Sequence, residues 1–249
     1  MKKFKKIKPY KFCLHGITQK DPTAPCQGSL ALHTHEPSSK ILHNRSQLQK
    51  QFPTMKFVVA NQTHSDNIAI LSNKESLGWQ DIESAIEDCD ALITNQSGVM
   101  LTILTADCVP ILLLDPIQKV VAAIHAGWRG TEQKILLKTV QKMQEQFDSN
   151  PEDIIAGIAP AIGRCCYEVD EEVAKHFLEY PKAIDHKEAN KYMLDLPSIN
   201  HHQLLHAGLK KEHIEDSNIC TACEVDHYFS YREEQGCSGR FMSMIGLVN

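Results

Sequence analysis

A chain of 249 residues, 42% apolar and 23% charged, is long enough to bury a core and has the composition of an ordinary globular protein. Its net charge of −5 excludes a generally basic surface, so nucleic-acid binding would need a local patch. No stretch approaches the roughly 20 apolar residues of a membrane span, and neither nucleic acid nor membrane is an expected partner.

The chain opens on MKKFKKIK, five lysines in eight residues, which reads as a solvated basic tail over 1–10. The apolar run after it, FCLHGI, is too short for a secretory signal and is broken by His15. The expected compartment is therefore the cytoplasm, where the nine cysteines should be mostly reduced. KFVVANQTH reads as a strand ending in a polar loop, and DALIT and VMLTILTADC read as strands. PILLLD and KVVAAIH are near-continuous apolar runs, the pattern of strands buried on both faces. A helix is expected over 131–147, with Thr131 as its N-cap and Leu136, Val140, Met143 and Phe147 on one face. DIIAGIAPAIG is a strand running into a turn, and DEEVAKHFLEY a helix with Asp170 near its cap. PSINHHQLLHAG is a helix with Pro197 in its first turn and Gly208 past its end. HYFSYR reads as a late strand. The mixture predicts an α/β fold: a single layered domain of α/β/β/α type with mixed sheets, spanning 1–249.

The two central apolar runs carry a thiol and an imidazole. DPIQ, residues 115–118, has the type I turn signature. If it closes a hairpin with Asp115 opposite Gln118, Cys108 falls directly opposite His125, with Cβ atoms about 4.5–5.5 Å apart. A thiolate and an imidazole that close can share a metal ion. His64 in NQTHSD also follows an apolar strand and is the best third ligand. A Cys/His/His set leaves a fourth zinc position open for water, whose pKa zinc lowers toward about 7. The competing reading is a packed cysteine and a structural histidine. AGWRGT, residues 126–131, can cradle phosphate with its glycines, a helix N-terminus and Arg129, or it can be a tight strand-to-helix turn. CTAC, residues 220–223, and the adjacent pair Cys165–Cys166 read as structural, because a zinc site would want a second CxxC. His33-Thr34-His35 and His201-His202 read as solvated or capping.

NQTHSD, TADCVPILLLD, AAIHAGWRGT, GIAPAIGRCCYEV and YFSYR…SGR, in the family's order between residues 15 and 240, together resemble one family. It is the laccase-domain family, once called multicopper polyphenol oxidases and now associated with purine nucleoside phosphorolysis and adenosine deamination. The resemblance implies a layered α/β domain and a metal site, zinc with copper as the other candidate, at His64, Cys108 and His125. It implies a phosphorylase for adenosine, inosine and S-methyl-5′-thioadenosine with adenosine deaminase activity, partnered by the nucleoside and phosphate, as a monomer or homodimer. Asp107, Cys108 and Arg129 are the candidate catalytic residues, with Asp107 as general base or orienter of a metal-held water. Gln62, Arg45, Arg129, Arg232 and Arg240 are candidates for substrate and phosphate. Phe229 or Tyr231 could stack on a purine or belong to the core. HGITQK departs from the family's pattern, with Lys20 where an arginine is common, which loses the bidentate fork. Ser29 stands near a usual asparagine. The alternatives are a copper-dependent polyphenol oxidase, a hydrolase of a cell-wall precursor with Cys108 as nucleophile and His125 as base, and a metal-stiffened binding module.

Overall fold

A computed structural model describes residues 1–248. β1 (Cys13–Ile17) leads through α1 (Ser38–Gln51) to β2 (Lys56–Val59), β3 (Ile68–Leu71), β4 (Ala91–Thr94) and β5 (Val99–Thr105). The hairpin of β6 (Val109–Asp115) and β7 (Val120–Ala126) follows, then α2 (Trp128–Glu132), α3 (Ile135–Phe147) and β8 (Ile155–Ile158). β9 (Glu168–Asp170), α4 (Glu171–Ala174), β10 (Ile184–His186) and β11 (Lys191–Leu194) follow, the three strands forming a small antiparallel sheet whose Val169 and Leu194 join the main core. α5 (Leu196–His206), β12 (Ile214–Asp216) and β13 (Phe241–Leu247) complete the chain.

Two mixed sheets result, one ordered β12-β8-β6-β7-β4-β3 and one ordered β1-β13-β5-β2. Alternation along the strands shows how they stack. Ile111 and Leu113 of β6 and Ala122 and Ile124 of β7 pack with Leu136, Val140 and Met143 of α3 and Ile199 and Leu204 of α5. Their neighbours Leu112, Leu114, Val121 and Ala123 point the other way, onto Val99, Leu101 and Ile103 of β5 and Phe241 and Ile245 of β13. The far face of that second sheet, with Met100, Leu104, Met242 and Met244, packs on Leu48 of α1. The layers are therefore helix, sheet, sheet, helix, as the sequence predicts. β5, β6, β7 and β13 are buried at every residue, which is why their sequences run apolar without alternating. Among the described residues no helix is long and apolar enough to cross a membrane.

Several expectations need correction. The β6–β7 register places Asp115 opposite Val120 and Pro110 opposite His125, so Cys108 is not opposite His125. The turn holds four residues rather than two: the Asp115 side chain accepts from the N–H groups of Ile117 and Gln118, and Lys119 takes a left-handed φ of 53°. The slip is two residues, so Cys108 and His125 keep the same face. The helix expected over 131–147 is broken at Lys134, with φ 61°. Thr131 is not its cap but a buried residue of α2, bonded to Asn200 and Gln203 of α5. The 170–180 helix shortens to α4 and a 3-10 turn over Lys175–Phe177. HYFSYR is not a strand. Its Tyr228 and Phe229 anchor a run of turns in the inter-sheet core, and the strand lies later, as β13 between β1 and β5.

Nor are residues 1–10 a solvated tail. Ile7 is fully buried and Phe4 nearly so, while the lysines between them face out. The Phe4 ring fills the space that a Cβ on Gly157 of β8 would need, with a would-be contact of 2.3 Å, and its N–H donates to His15 Nε2. Phe4→Ala should therefore lower unfolding stability by about 3–5 kcal/mol, the cost of emptying a buried phenyl site. A change under about 0.5 kcal/mol in urea denaturation would restore the tail.

Candidate active site

The site lies where the inter-sheet layer meets solvent at one end of the strands. His64 sits in the loop after β2, Asp90 immediately before β4, Cys108 immediately before β6, and His125 within β7. Asp90 is fully buried and gathers the others. Its Oδ1 lies 2.6 Å from His125 Nδ1 and accepts from the His64 N–H at 3.1 Å. Its Oδ2 accepts from the N–H and hydroxyl of Ser65 at 2.7 and 2.8 Å and from the Thr63 N–H at 3.2 Å. A carboxylate only accepts, so the proton of this pair belongs on Nδ1, and Nε2 of His125 is left as a ligand.

The donor atoms of His64, Cys108 and His125 all lie within 4.8 Å of one another. Cys108 Sγ is 3.8 Å from His64 Nε2, and the two imidazole rings meet edge to face at 4.9 Å. Two imidazoles and a thiolate with an open side suit a borderline-soft divalent ion, so the residues fit one metal. Burial alone would raise the Cys108 pKa, but its charge and hydrogen-bond pairing with His125 and His64 outweigh this and bring it down to about 6. Burial likewise opposes charge on His125, yet Cys108 and Asp90 lift it to about 9. Without a metal the pair is therefore a thiolate facing an imidazolium.

Gly127 explains part of AGWRGT. A Cβ there would lie 2.9 Å from His64 Cδ2 and 3.2 Å from Cys108 Sγ, so the glycine is what lets the backbone close over these two side chains. The helix that follows is only the five-residue α2, and Arg129 is exposed, its guanidinium 4.3 Å from the Trp128 ring centre. The structure thus favours the tight turn over the phosphate cradle read from the sequence.

The three residues open onto a cavity of about 510 Å³, also lined by His33, Gln62, Asp107, Trp128, Tyr167, Tyr231, Arg232 and Arg240. That volume suits a nucleoside-sized ligand. Asp107 has a φ of 91°, uncommon for a residue with a Cβ. Its carboxylate accepts from the Thr221 hydroxyl at 2.6 Å and the Arg232 N–H at 2.7 Å. The Arg232 guanidinium donates to the Glu168 carbonyl and lies near the Tyr167 ring. Arg240 donates to the Ser238 and Gly239 carbonyls, and its own N–H donates to the Ser29 hydroxyl. Gln62 makes a reciprocal pair with the backbone of Leu104. Burial, then the Cys108 charge, raises the Tyr167 pKa, so its hydroxyl stays a neutral donor.

Arg45 does not belong to this group. It is 1% exposed, and its guanidinium is used by the carbonyls of Leu30, Gly78 and Trp79. Lys20 lies off the cavity too, bonded to Glu234 and to the Val225 carbonyl. Phe229 is core, whereas Tyr231 lines the cavity. Sequence reasoning missed Asp90, Tyr167 and Trp128, and it read His33 as solvated or capping where the structure sets it on the cavity wall. Asp90 had one signal, an acid set directly against the apolar strand ALIT, where a buried charge needs partners.

Residues 18–248 match the family described as multi-copper polyphenol oxidoreductase laccase. The chain belongs to that family. It is 35% identical over 224 residues to purine nucleoside phosphorylase YlmD of Bacillus subtilis (strain 168), covering 87% of this chain and 80% of that protein. It is also 35% identical over 189 residues to adenosine deaminase RL5 of an unknown prokaryotic organism, covering 74% of this chain and 72% of that one. The crystal structure of YlmD from Geobacillus stearothermophilus superposes with a TM-score of 0.91 at 32% identity, over 97% of this chain and 94% of that one. The laccase-like family thus includes relatives named for purine nucleoside chemistry.

In chelator-treated protein, alkylation of Cys108 by iodoacetamide should rise with a midpoint near pH 6, because the thiolate forms as pH climbs through its lowered pKa. Asp90→Asn should move that midpoint up, since it removes the anion that supports the His125 imidazolium. A wild-type midpoint near pH 9, read by mass spectrometry of the Cys108 peptide, would show that the ion pair is absent.

Proposed function

We propose that the chain is a zinc-dependent purine nucleoside phosphorylase for adenosine, inosine and S-methyl-5′-thioadenosine that also deaminates adenosine. The observation that carries this reading is the His64/Cys108/His125 group at one side of a cavity that also holds two arginines and aromatic rings. The names of the relatives support the substrate class. His64, Cys108 and His125 would hold the zinc, which supplies a Lewis acid beside the reacting oxygen.

In phosphorolysis a phosphate oxygen bonds to ribose C1′ as the C1′–N9 bond breaks, and the purine leaves with the electron pair and a proton. Arg240 and Arg232 hold the anion with charge-assisted hydrogen bonds. Exposed Arg129 meets phosphate only at the mouth. Tyr231 and Trp128 offer faces to the base, and the neutral Tyr167 hydroxyl donates a hydrogen bond. Gln62, with both amide groups on the Leu104 backbone, shapes the wall. Both oxygens of Asp107 are engaged, so its part is to hold Arg232 and Thr221 in place rather than to shuttle protons. In deamination, water adds at C6 and ammonia leaves from the same carbon, within the same cavity.

The thiolate–imidazolium pair favours one rival, a metal-free cysteine hydrolase, in which Cys108 attacks and His125 returns the proton. In that rival His64 would only help His125 hold the thiolate. A multi-copper oxidase would need further histidine-rich centres. Among the described residues the one other cluster of three or more such side chains is made of cysteines alone.

Cys108→Ala should lose one zinc per chain, by elemental analysis, and with it phosphate-dependent hypoxanthine release from inosine. Zinc-free protein that keeps full phosphate-dependent turnover would overturn the metal reading, and inactivation by alkylation but not by chelation would favour the hydrolase. Arg240→Ala should raise KM for phosphate about 10-fold or more with a smaller change in kcat, as expected for a lost hydrogen bond to a charged group. An unchanged KM would remove Arg240 from the phosphate site.

A further inference from the structure

Four cysteines stand together outside the cavity just described. The sulfurs of Cys165, Cys166, Cys220 and Cys223 all lie within 4.8 Å of one another. Cys223 Sγ is 3.5 Å from Cys165 Sγ and 3.4 Å from Cys166 Sγ. A tetrahedron of thiolates around zinc, with bonds of about 2.3 Å, has sulfur–sulfur edges of about 3.8 Å.

Two turns build the cluster. Ala161 bridges the backbone at Cys220, accepting from the Thr221 N–H and donating to the Ile219 carbonyl. Past this bridge one strand of chain coils, with the N–H groups of Cys166 and Tyr167 both on the Gly163 carbonyl. The other coils through CTAC, with the Glu224 N–H on the Cys220 carbonyl. The Gly163 N–H donates to Cys220 Sγ at 3.2 Å, a bond that favours a thiolate. A Cβ at Gly163 would sit 3.2 Å from Cys220 Cβ and 3.4 Å from Cys165 Sγ, so the two turns pass close together at this glycine. In an extended strand Cys165 and Cys166 would diverge to opposite faces. The coil at Gly163 turns both toward Cys223, and so supplies the second pair that CTAC lacks in the sequence.

We propose that Cys165, Cys166, Cys220 and Cys223 bind one zinc ion as a tetrathiolate structural centre, separate from the His64/Cys108/His125 group. All four are free thiols. A disulfide would join only two sulfurs, and Cys223 stands equally near two candidates. A multi-iron cluster would hold the cysteine sulfurs farther apart, because iron and sulfide stand between them. Two of the four are exposed and two half-buried, so an ion can reach the site. The centre clamps the 163–168 turn to the 220–223 turn. Next to those cysteines, Tyr167 lines the cavity and Thr221 bonds Asp107. The same clamp therefore braces one wall of the active site.

The test counts zinc by elemental analysis in protein purified without added metal. Wild type should hold two ions per chain. His64→Ala/His125→Ala should hold one, and Cys220→Ser/Cys223→Ser should hold one. Unchanged zinc in the cysteine variant would overturn the proposal, whatever becomes of the catalytic site. If that variant does not fold, His64→Ala/His125→Ala carries the test alone. Its single zinc should protect the four cysteines from iodoacetamide, and cobalt in its place should show strong thiolate-to-metal charge-transfer absorption. No metal and rapid alkylation of all four cysteines, or a disulfide among them in protein quenched on lysis, would overturn the site. Iron in place of zinc would overturn the choice of metal.

Discussion

One buried carboxylate organises the active site. Asp90 has no exposed surface, and a charge in that position is tolerable only when its hydrogen bonds are met. It takes donors from Thr63, His64, Ser65 and His125, and its own carbonyl accepts the His125 N–H at 2.7 Å. Burial works against its ionised form, but the His125 and Ser65 contacts win and hold its pKa below the usual value. The loop carrying one candidate ligand and the strand carrying another are thereby fixed to the same atom pair. Without the Asp90 carboxylate, the N–H groups of Thr63, His64 and Ser65 would lose their shared acceptor, and His125 would lose the partner that fixes its tautomer.

The layering puts that carboxylate where chemistry can use it. Val121, Ala123 and His125 alternate onto the inter-sheet face of β7, and the first two are sealed in the core. His125 comes where the layer reaches its end, so the same periodicity that buries the strand delivers an imidazole to an opening. Cys108 precedes β6 on the matching face. The apolar layer keeps water from behind the site while leaving the front open to the cavity.

This is why so much was legible in advance. Runs such as VMLTILT, PILLLD and KVVAAIH announce strands with two buried faces, and face parity survives a register error of two residues. The pairing of Cys108 with His125 was thus wrong in register and right in side. What stayed hidden depended on contacts between distant segments. Phe4 looks solvated among its lysines until Gly157 is seen to lack a side chain beneath it. HYFSYR has strand-forming residues, yet its Tyr228 and Phe229 are spent on anchoring turns, while FMSMIGL, with a serine and a glycine, makes the inner strand β13. Arg45 is a candidate for phosphate in the sequence, but three carbonyls use it up. The four clustered cysteines come from two segments more than fifty residues apart, and no spacing rule joins an adjacent pair to CTAC.

Local strain completes the account. His64 and Asp107 both adopt left-handed φ values, 65° and 91°, at positions where glycine would be the easy choice. Each has side-chain partners that a glycine would forfeit: the His64 ring beside Cys108, and the Asp107 carboxylate on the Thr221 hydroxyl and the Arg232 N–H. Such conformations typically cost on the order of 1–3 kcal/mol apiece and persist only where the surroundings over-determine them. At Gly127 the reverse holds: the side chain is absent so that its neighbours can meet. The chain thus spends side chains where the backbone resists them and withholds one where the backbone would accept it. Both choices converge on the space around Cys108, which is the physical mark of a site shaped for ligation and binding rather than for packing alone.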